Sequence, residues 1–373
     1  MNMNFNIDAY LDSLPEDIEK IDIRSRNLTY IPSLERFKKL QILCCGNNQL
    51  ASLPPLNKNL ERLYCSKNHL TFLPQLNENL KELYCDNNQL TSLPPLNENL
   101  ERLYCSNNRL TFLPQLNENL QELWCSDNKL TSLPPLNETL KILYCNHNRL
   151  TSLPPLNKNL ERLYCSKNHL TFLPQLNKNL QELWCSNNRL TFLPQLNENL
   201  QELWCSDNKL TSLPSLNETL KILYCNHNRL TSLPPLNKNL ERLYCSKNHL
   251  TFLPQLNKNL KELYCDNNQL TSLPPLNENL ERLYCSNNRL TFLPPLNEKL
   301  ERLYSKGNPI NEIIKENVLR DKKKQIQIIN IFRYLYYSLK FKKRFLDLLW
   351  IKIREPKIRK KYHPSNLMEN ISS

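Results

Sequence analysis

The chain has 373 residues, 40% of them hydrophobic, and a formal net charge of +13. It holds only two glycines, Gly46 and Gly307, which excludes a phosphate or dinucleotide loop built from several glycines. No basic-then-apolar leader opens the chain and no run of about 18 apolar residues occurs, so a soluble, intracellular protein is expected, cytoplasmic with a nuclear location as the alternative.

In chain order, residues 1–17 read as an N-terminal cap, in which Asn6 to Leu14 suits a short amphipathic helix. Residues 18–310 form a repeat array. Its first two units are irregular, opening at Ile18 and Leu40, and thirteen more open every 20 residues from Leu60 to Leu300. A unit of this length cannot bury its own apolar side chains, so copies must stack into a solenoid. Fifteen strands at about 4.8 Å each give a sheet about 70 Å long along its curve. The stretch Leu136 to Leu180 recurs unchanged as Leu216 to Leu260, which points to block duplication and against one unique active site.

One unit reads Leu60-x-x-Leu63-Tyr64-Cys65-x-x-Asn68-x-Leu70, then Thr71-x-Leu73-Pro74-x-Leu76-Asn77. This resembles the leucine-rich repeat pattern, with Cys at its third core position. The Leu-Thr-x-Leu-Pro half is similar to the short repeats of leucine-rich-repeat effectors of Gram-negative pathogens. Whole units, and the tail stretch from Ile353 to Ile371, are similar to leucine-rich repeat proteins of giant, mimivirus-like DNA viruses. The resemblance implies a horseshoe with a parallel β-sheet on its concave face. It implies no catalytic activity. The ubiquitin-ligase domain that some bacterial effectors append needs a catalytic cysteine, and no Cys follows Cys285 here.

Within a strand, side chains alternate. Leu63 and Cys65 should point into the core, and Arg62, Tyr64 and Ser66 outward onto the concave face. Asn68 and its counterparts should hydrogen-bond the turn that follows. The proline-rich return limb should be extended or polyproline-like on the convex side, because Pro lacks an amide donor and restricts its predecessor. Phe72, Phe112, Phe172, Phe192, Phe252 and Phe292 on that limb are read as packing residues.

Twelve of the 14 cysteines fall 20 apart, from Cys65 to Cys285. They read as a ladder of buried, reduced thiols. No C-x-x-C pair occurs, so neither a metal nor any other cofactor is expected.

Residues 311–373 hold 16 Lys and Arg against 6 Asp and Glu. Two or three helices are expected between Asn311 and Ile353, with Ile328, Phe332, Leu335, Leu339 and Leu346 at helical spacing. This α-helical region should cap the last repeat, with Trp350, Ile351, Ile353, Pro356 and Ile358 packed at its end.

Thirteen consecutive strands carry Tyr or Trp at the central outward position. Tyr104, Trp124, Tyr144, Tyr164, Trp184, Trp204 and Tyr224 form the middle of this file. Large amphipathic rings on a rigid surface suit a protein partner, and stacking that only stabilises the sheet is the competing reading. Beside them runs a column without acids, including Arg149, Arg189, Lys209 and Arg229. The expected function is a non-enzymatic protein-interaction scaffold, engaging a host factor if the viral resemblance holds. The alternative is nucleic-acid binding through the basic tail and the basic column.

Overall fold

The computed structural model describes residues 5–312 and, beyond them, a discontinuous set between 323 and 361. Helix α1 (Ile7–Asp12) is capped by Asn6, whose side chain accepts from the Ala9 amide, and it buries Ile7 and Leu11 against the first repeat. Fifteen three-residue strands follow, from β1 (Lys20–Asp22) and β2 (Ile42–Cys44) to β15 (Arg302–Tyr304). From β3 (Arg62–Tyr64) onward they recur at the repeat period: β4 (Glu82–Tyr84), β5 (Arg102–Tyr104), β6 (Glu122–Trp124), β7 (Ile142–Tyr144), β8 (Arg162–Tyr164), β9 (Glu182–Trp184), β10 (Glu202–Trp204), β11 (Ile222–Tyr224), β12 (Arg242–Tyr244), β13 (Glu262–Tyr264) and β14 (Arg282–Tyr284). They form one parallel sheet in sequence order, in strict register: Leu203 faces Leu183 on one side and Leu223 on the other.

The core is a set of columns running the length of the array. Leu60, Leu63, Cys65 and Leu70 and their equivalents are fully buried, and Leu73 closes the unit from the return limb. Each buried leucine contributes about 1.5–3 kcal/mol relative to exposure, so the stack is held by many equal increments.

Polar bonding follows the same columns. Asn168 Nδ2 donates to the carbonyls of Cys145 (3.0 Å) and Cys165 (3.1 Å), and Asn168 Oδ1 accepts from the Leu150 amide at 3.0 Å. One side chain thus ties two repeats together and satisfies backbone groups that the short strand leaves open. A second column, not anticipated from the sequence, does the same on the return limb: Asn177 Nδ2 donates to Leu160 O at 3.0 Å.

The residue before each Asn of the first column, from Asn48 to Asn308, is left-handed. Lys167 has φ 54°, Asp207 φ 54° and His227 φ 51°, and Gly307 takes the position in the last unit at φ 69°. Asn and Asp tolerate this conformation. At Gly307 an added Cβ would also collide with the Asn287 side chain.

Beyond the array, a 3-10 turn spans Pro309–Glu312 and a helix, α2, spans Glu355–Lys361; the described residues between 323 and 346 are also helical. Here the expected apolar face is corrected. Ile328, Leu339 and Leu346 are exposed, whereas Ile326 is buried. Lys323 Nζ donates to Glu298 O at 3.1 Å, anchoring the side of the helix on which Ile326, three residues on, also lies. Ile351 and Ile358 are exposed as well. Phe332, Leu335, Trp350 and Ile353 lie outside the described residues.

Candidate functional site: the aromatic file on the open face of the sheet

Tyr64, Tyr84, Tyr104, Trp124, Tyr144, Tyr164, Trp184, Trp204, Tyr224, Tyr244, Tyr264, Tyr284 and Tyr304 form one unbroken file. Successive ring centroids are 3.9 to 5.1 Å apart, and most pairs lie parallel. Tyr164 and Trp184 meet edge to face at 86°. The cause is register: identical positions on parallel strands repeat at about 4.8 Å, a little more than ring stacking distance. Most rings are half-buried, Tyr164 is buried and the terminal Tyr304 is 49% exposed.

The rings therefore spend their faces on each other and present edges. An aromatic platform for bases needs free faces, so the file offers nucleic acid little to stack on.

One residue to the N-terminal side of the central Leu runs a charged column that the rings use. Arg102 sits between two glutamates, with Nη1 2.7 Å from Glu82 and Nε 3.3 Å from Glu122. Arg162 Nε bonds Glu182 at 3.2 Å and Arg282 Nη1 bonds Glu262 at 3.0 Å. Tyrosines complete the carboxylates: Tyr104 donates to Glu122 at 2.7 Å, and Tyr164 and Tyr244 donate to Glu182 and Glu262. Burial first, then Glu122, holds the Tyr104 hydroxyl well above the ordinary tyrosine range. Tyr64 is pushed up to about 12, by burial and then by Glu82.

Arg149, Arg189, Lys209 and Arg229 are exposed five residues beyond the rings, past the buried Asn column. Among the described residues no ion pair or cation-π contact joins them to the file. The structure thus keeps the two sets of expected site residues apart.

The packing role expected for the return-limb phenylalanines is corrected at five of the six positions, while Phe292 is half-buried. Phe72, Phe112, Phe192 and Phe252 are each 55% exposed, and Phe172 46%. The limb is extended, so when the following Leu73 or its equivalent points inward the Phe must point out.

Along the sheet edge where the strands begin lie three cavities of about 620, 480 and 360 Å³. They share lining residues such as Gln201, Glu161 and Asn179 and make a polar trench that sequence reading missed. The trench appears only when residues 18 apart, such as Gln181 and Asn199, are brought side by side.

All 14 cysteines are buried, and burial raises the thiols of Cys125, Cys165 and Cys205 to about 12. Such thiols are poor nucleophiles. Among the described residues no group of His, Cys, Asp and Glu is arranged to hold a metal ion, and no helix is long and apolar enough to cross a membrane.

The family of paired Leucine Rich repeats matches residues 58–98, 98–138, 158–198, 178–218, 198–238 and 238–278, and a single Leucine Rich Repeat matches 279–298. The chain belongs to the leucine-rich repeat family. Among solved structures, this leucine-rich repeat protein is similar to YopM, a leucine-rich effector of Yersinia pestis, at 31% identity over 77% of this chain and 88% of that one, with a TM-score of 0.67. A leucine-rich repeat protein of Leptospira interrogans is similar at 30% identity over 83% of this chain and 97% of that one, with a TM-score of 0.70. The functional domain of InlJ from Listeria monocytogenes, which includes a cysteine ladder, is similar at 28% identity over 74% and 69%, with a TM-score of 0.57. No curated protein matches the sequence. Leucine-rich repeat proteins generally serve as protein-interaction scaffolds rather than as enzymes.

Proposed function

We propose that this protein is a non-enzymatic scaffold that binds a protein partner across the concave, open face of its sheet. The contact would be centred on Tyr104, Trp124, Tyr144, Tyr164, Trp184, Trp204 and Tyr224. The observation that carries the reading is the unbroken file of half-buried ring edges on a sheet in strict register. Such a surface is already ordered, so a partner pays little entropy to immobilise it, and Trp and Tyr are the residue types that dominate interface energies. Arg149, Arg189, Lys209 and Arg229 would form a basic flank to the same partner, steering acidic surfaces toward it. Residues 1–17 and 311–373 are assigned as caps of the array, the latter with a basic tail. The resemblance to giant-virus repeats supports a partner inside a host cell.

The test is an affinity capture with the native protein and with Tyr164→Ala, Trp184→Ala and Trp204→Ala, each verified as folded by circular dichroism. Loss of the same captured protein in the variants supports the reading. Equal recovery from folded variants overturns the assignment to this face.

A further inference from the structure

The charged column on the open face neutralises itself almost everywhere. Glu82, Glu122, Glu182 and Glu262 each hold both an arginine and the hydroxyl of the tyrosine on the preceding strand. Glu202 holds neither. Its strand neighbours at the same level are Glu182 and Ile222, and the ring before it is Trp184, which has no hydroxyl to offer. The indole N–H groups of Trp184 and Trp204, stacked at 4.4 Å, also lack an acceptor. Donor and acceptor pairing therefore both fail at β9 and β10, in the middle of the file.

Two carboxylates level with each other on adjacent strands are about 4.8 Å apart at the backbone and repel. A repeat with Arg or Ile at either position would remove the repulsion, and other units of this chain have those residues there. We infer that Glu202 is the seat for an arginine side chain of the protein partner. The molecule contains its own precedent: Arg102 spans Glu82 and Glu122 on this same face with two different guanidinium nitrogens. On β9 Glu182 is already held by Arg162 and the Tyr164 hydroxyl, so the acid left without an arginine is Glu202 on β10, and a planar fork from outside can give it both arms. An arginine arriving here opposes the net charge of +13, so the attraction is local to Glu202. The inference rests on the concave-face reading and names the partner chemistry at its centre.

The test uses the full chain, immobilised, and a random peptide display library. Peptides that bind are expected to be enriched in arginine, in spite of the basic protein. Their affinity should fall at least about tenfold on Glu202→Gln, the scale of one lost charge-assisted bond, and stay unchanged on Glu82→Gln, whose arginine is internal. Glu202→Gln removes a repulsion and should keep or raise the melting temperature, which serves as the folding control. Peptides lost on Tyr144→Ala and Tyr224→Ala but indifferent to Glu202→Gln would overturn the arginine seat and leave the concave face standing. Peptides without arginine enrichment would overturn the seat too, and an absence of any peptide sensitive to the ring variants would overturn both readings.

Discussion

The Tyr104 hydroxyl donates to Glu122 Oε2 at 2.7 Å, from one strand to the next. Glu122 also accepts from Arg102 at 3.3 Å, and Arg102 reaches back to Glu82 at 2.7 Å, so ring, acids and base are locked into one lattice across three strands. In this lattice a tyrosine belongs to the sheet's own cohesion before any partner arrives, which distinguishes it from the three tryptophans.

Removing that hydroxyl should weaken the lattice without emptying the ring stack. Tyr104→Phe is expected to cost about 1 kcal/mol, a charge-assisted bond discounted for partial exposure. Tyr104→Ala should cost clearly more, because two ring contacts go with it. Urea midpoints of the two variants measure the difference, and equal losses would show that the hydroxyl carries no stability.

Asn168→Ala should be among the most damaging single changes in the array. It leaves the Leu150 amide unbonded in a dry interior and strips a donor from the Cys145 and Cys165 carbonyls. The two carbonyls each keep a bond, from Asn148 and Asn188, so with one buried amide left unsatisfied at about 1–3 kcal/mol and two carbonyl bonds lost, a loss of about 2–3 kcal/mol is expected. Asn179→Ala, at an exposed turn where the side chain donates to Lys158 O, should cost less than about 1.5 kcal/mol. Chemical denaturation of the pair tests the ordering.

Stability should fall as the solution becomes alkaline. Burial raises the thiols of Cys125, Cys165 and Cys205 from 9.0 to about 12, and Tyr64 from 10.0 to about 12. Below pH 9 these groups are protonated in folded and unfolded chains alike, and their stabilising contribution is fully present. As pH rises further the unfolded chain releases these protons while the folded chain keeps them. The unfolded state then binds fewer protons and gains, and the loss continues until the folded groups titrate near 12. A urea midpoint that stays flat from neutrality to about pH 11 would contradict the buried ladder.

The return-limb phenylalanines should be dispensable for folding. Serine stands at their position in neighbouring units of the same chain, for example Ser152 and Ser232. Replacing Phe72, Phe112, Phe172, Phe192 and Phe252 together with Ser should change stability by no more than about 0.5 kcal/mol per site. It should also reduce binding of a hydrophobic dye to the native protein, since the exposed rings are removed. A large stability loss would return these residues to the packing role first read from the sequence.

A repeat of fixed length determines much by itself. Fifteen strands, inward Leu63 and Cys65, outward Tyr64 and the bonding role of Asn68 were all legible, because a period of 20 maps each residue type onto one column and stacking leaves that column one environment. Tertiary structure decided what depends on neighbours in different repeats. The ring faces are occupied because register brings Trp184 onto Trp204; Glu202 is left without a partner because Trp184 happens to precede it and Glu182 lies beside it; Phe72 faces outward because Leu73 must face in. In the tail, helical spacing marked an apolar stripe, but contact with the last repeat selected Ile326 instead of Ile328. Periodicity specifies which column a residue joins, whereas pairing between columns depends on distances that only the folded stack sets.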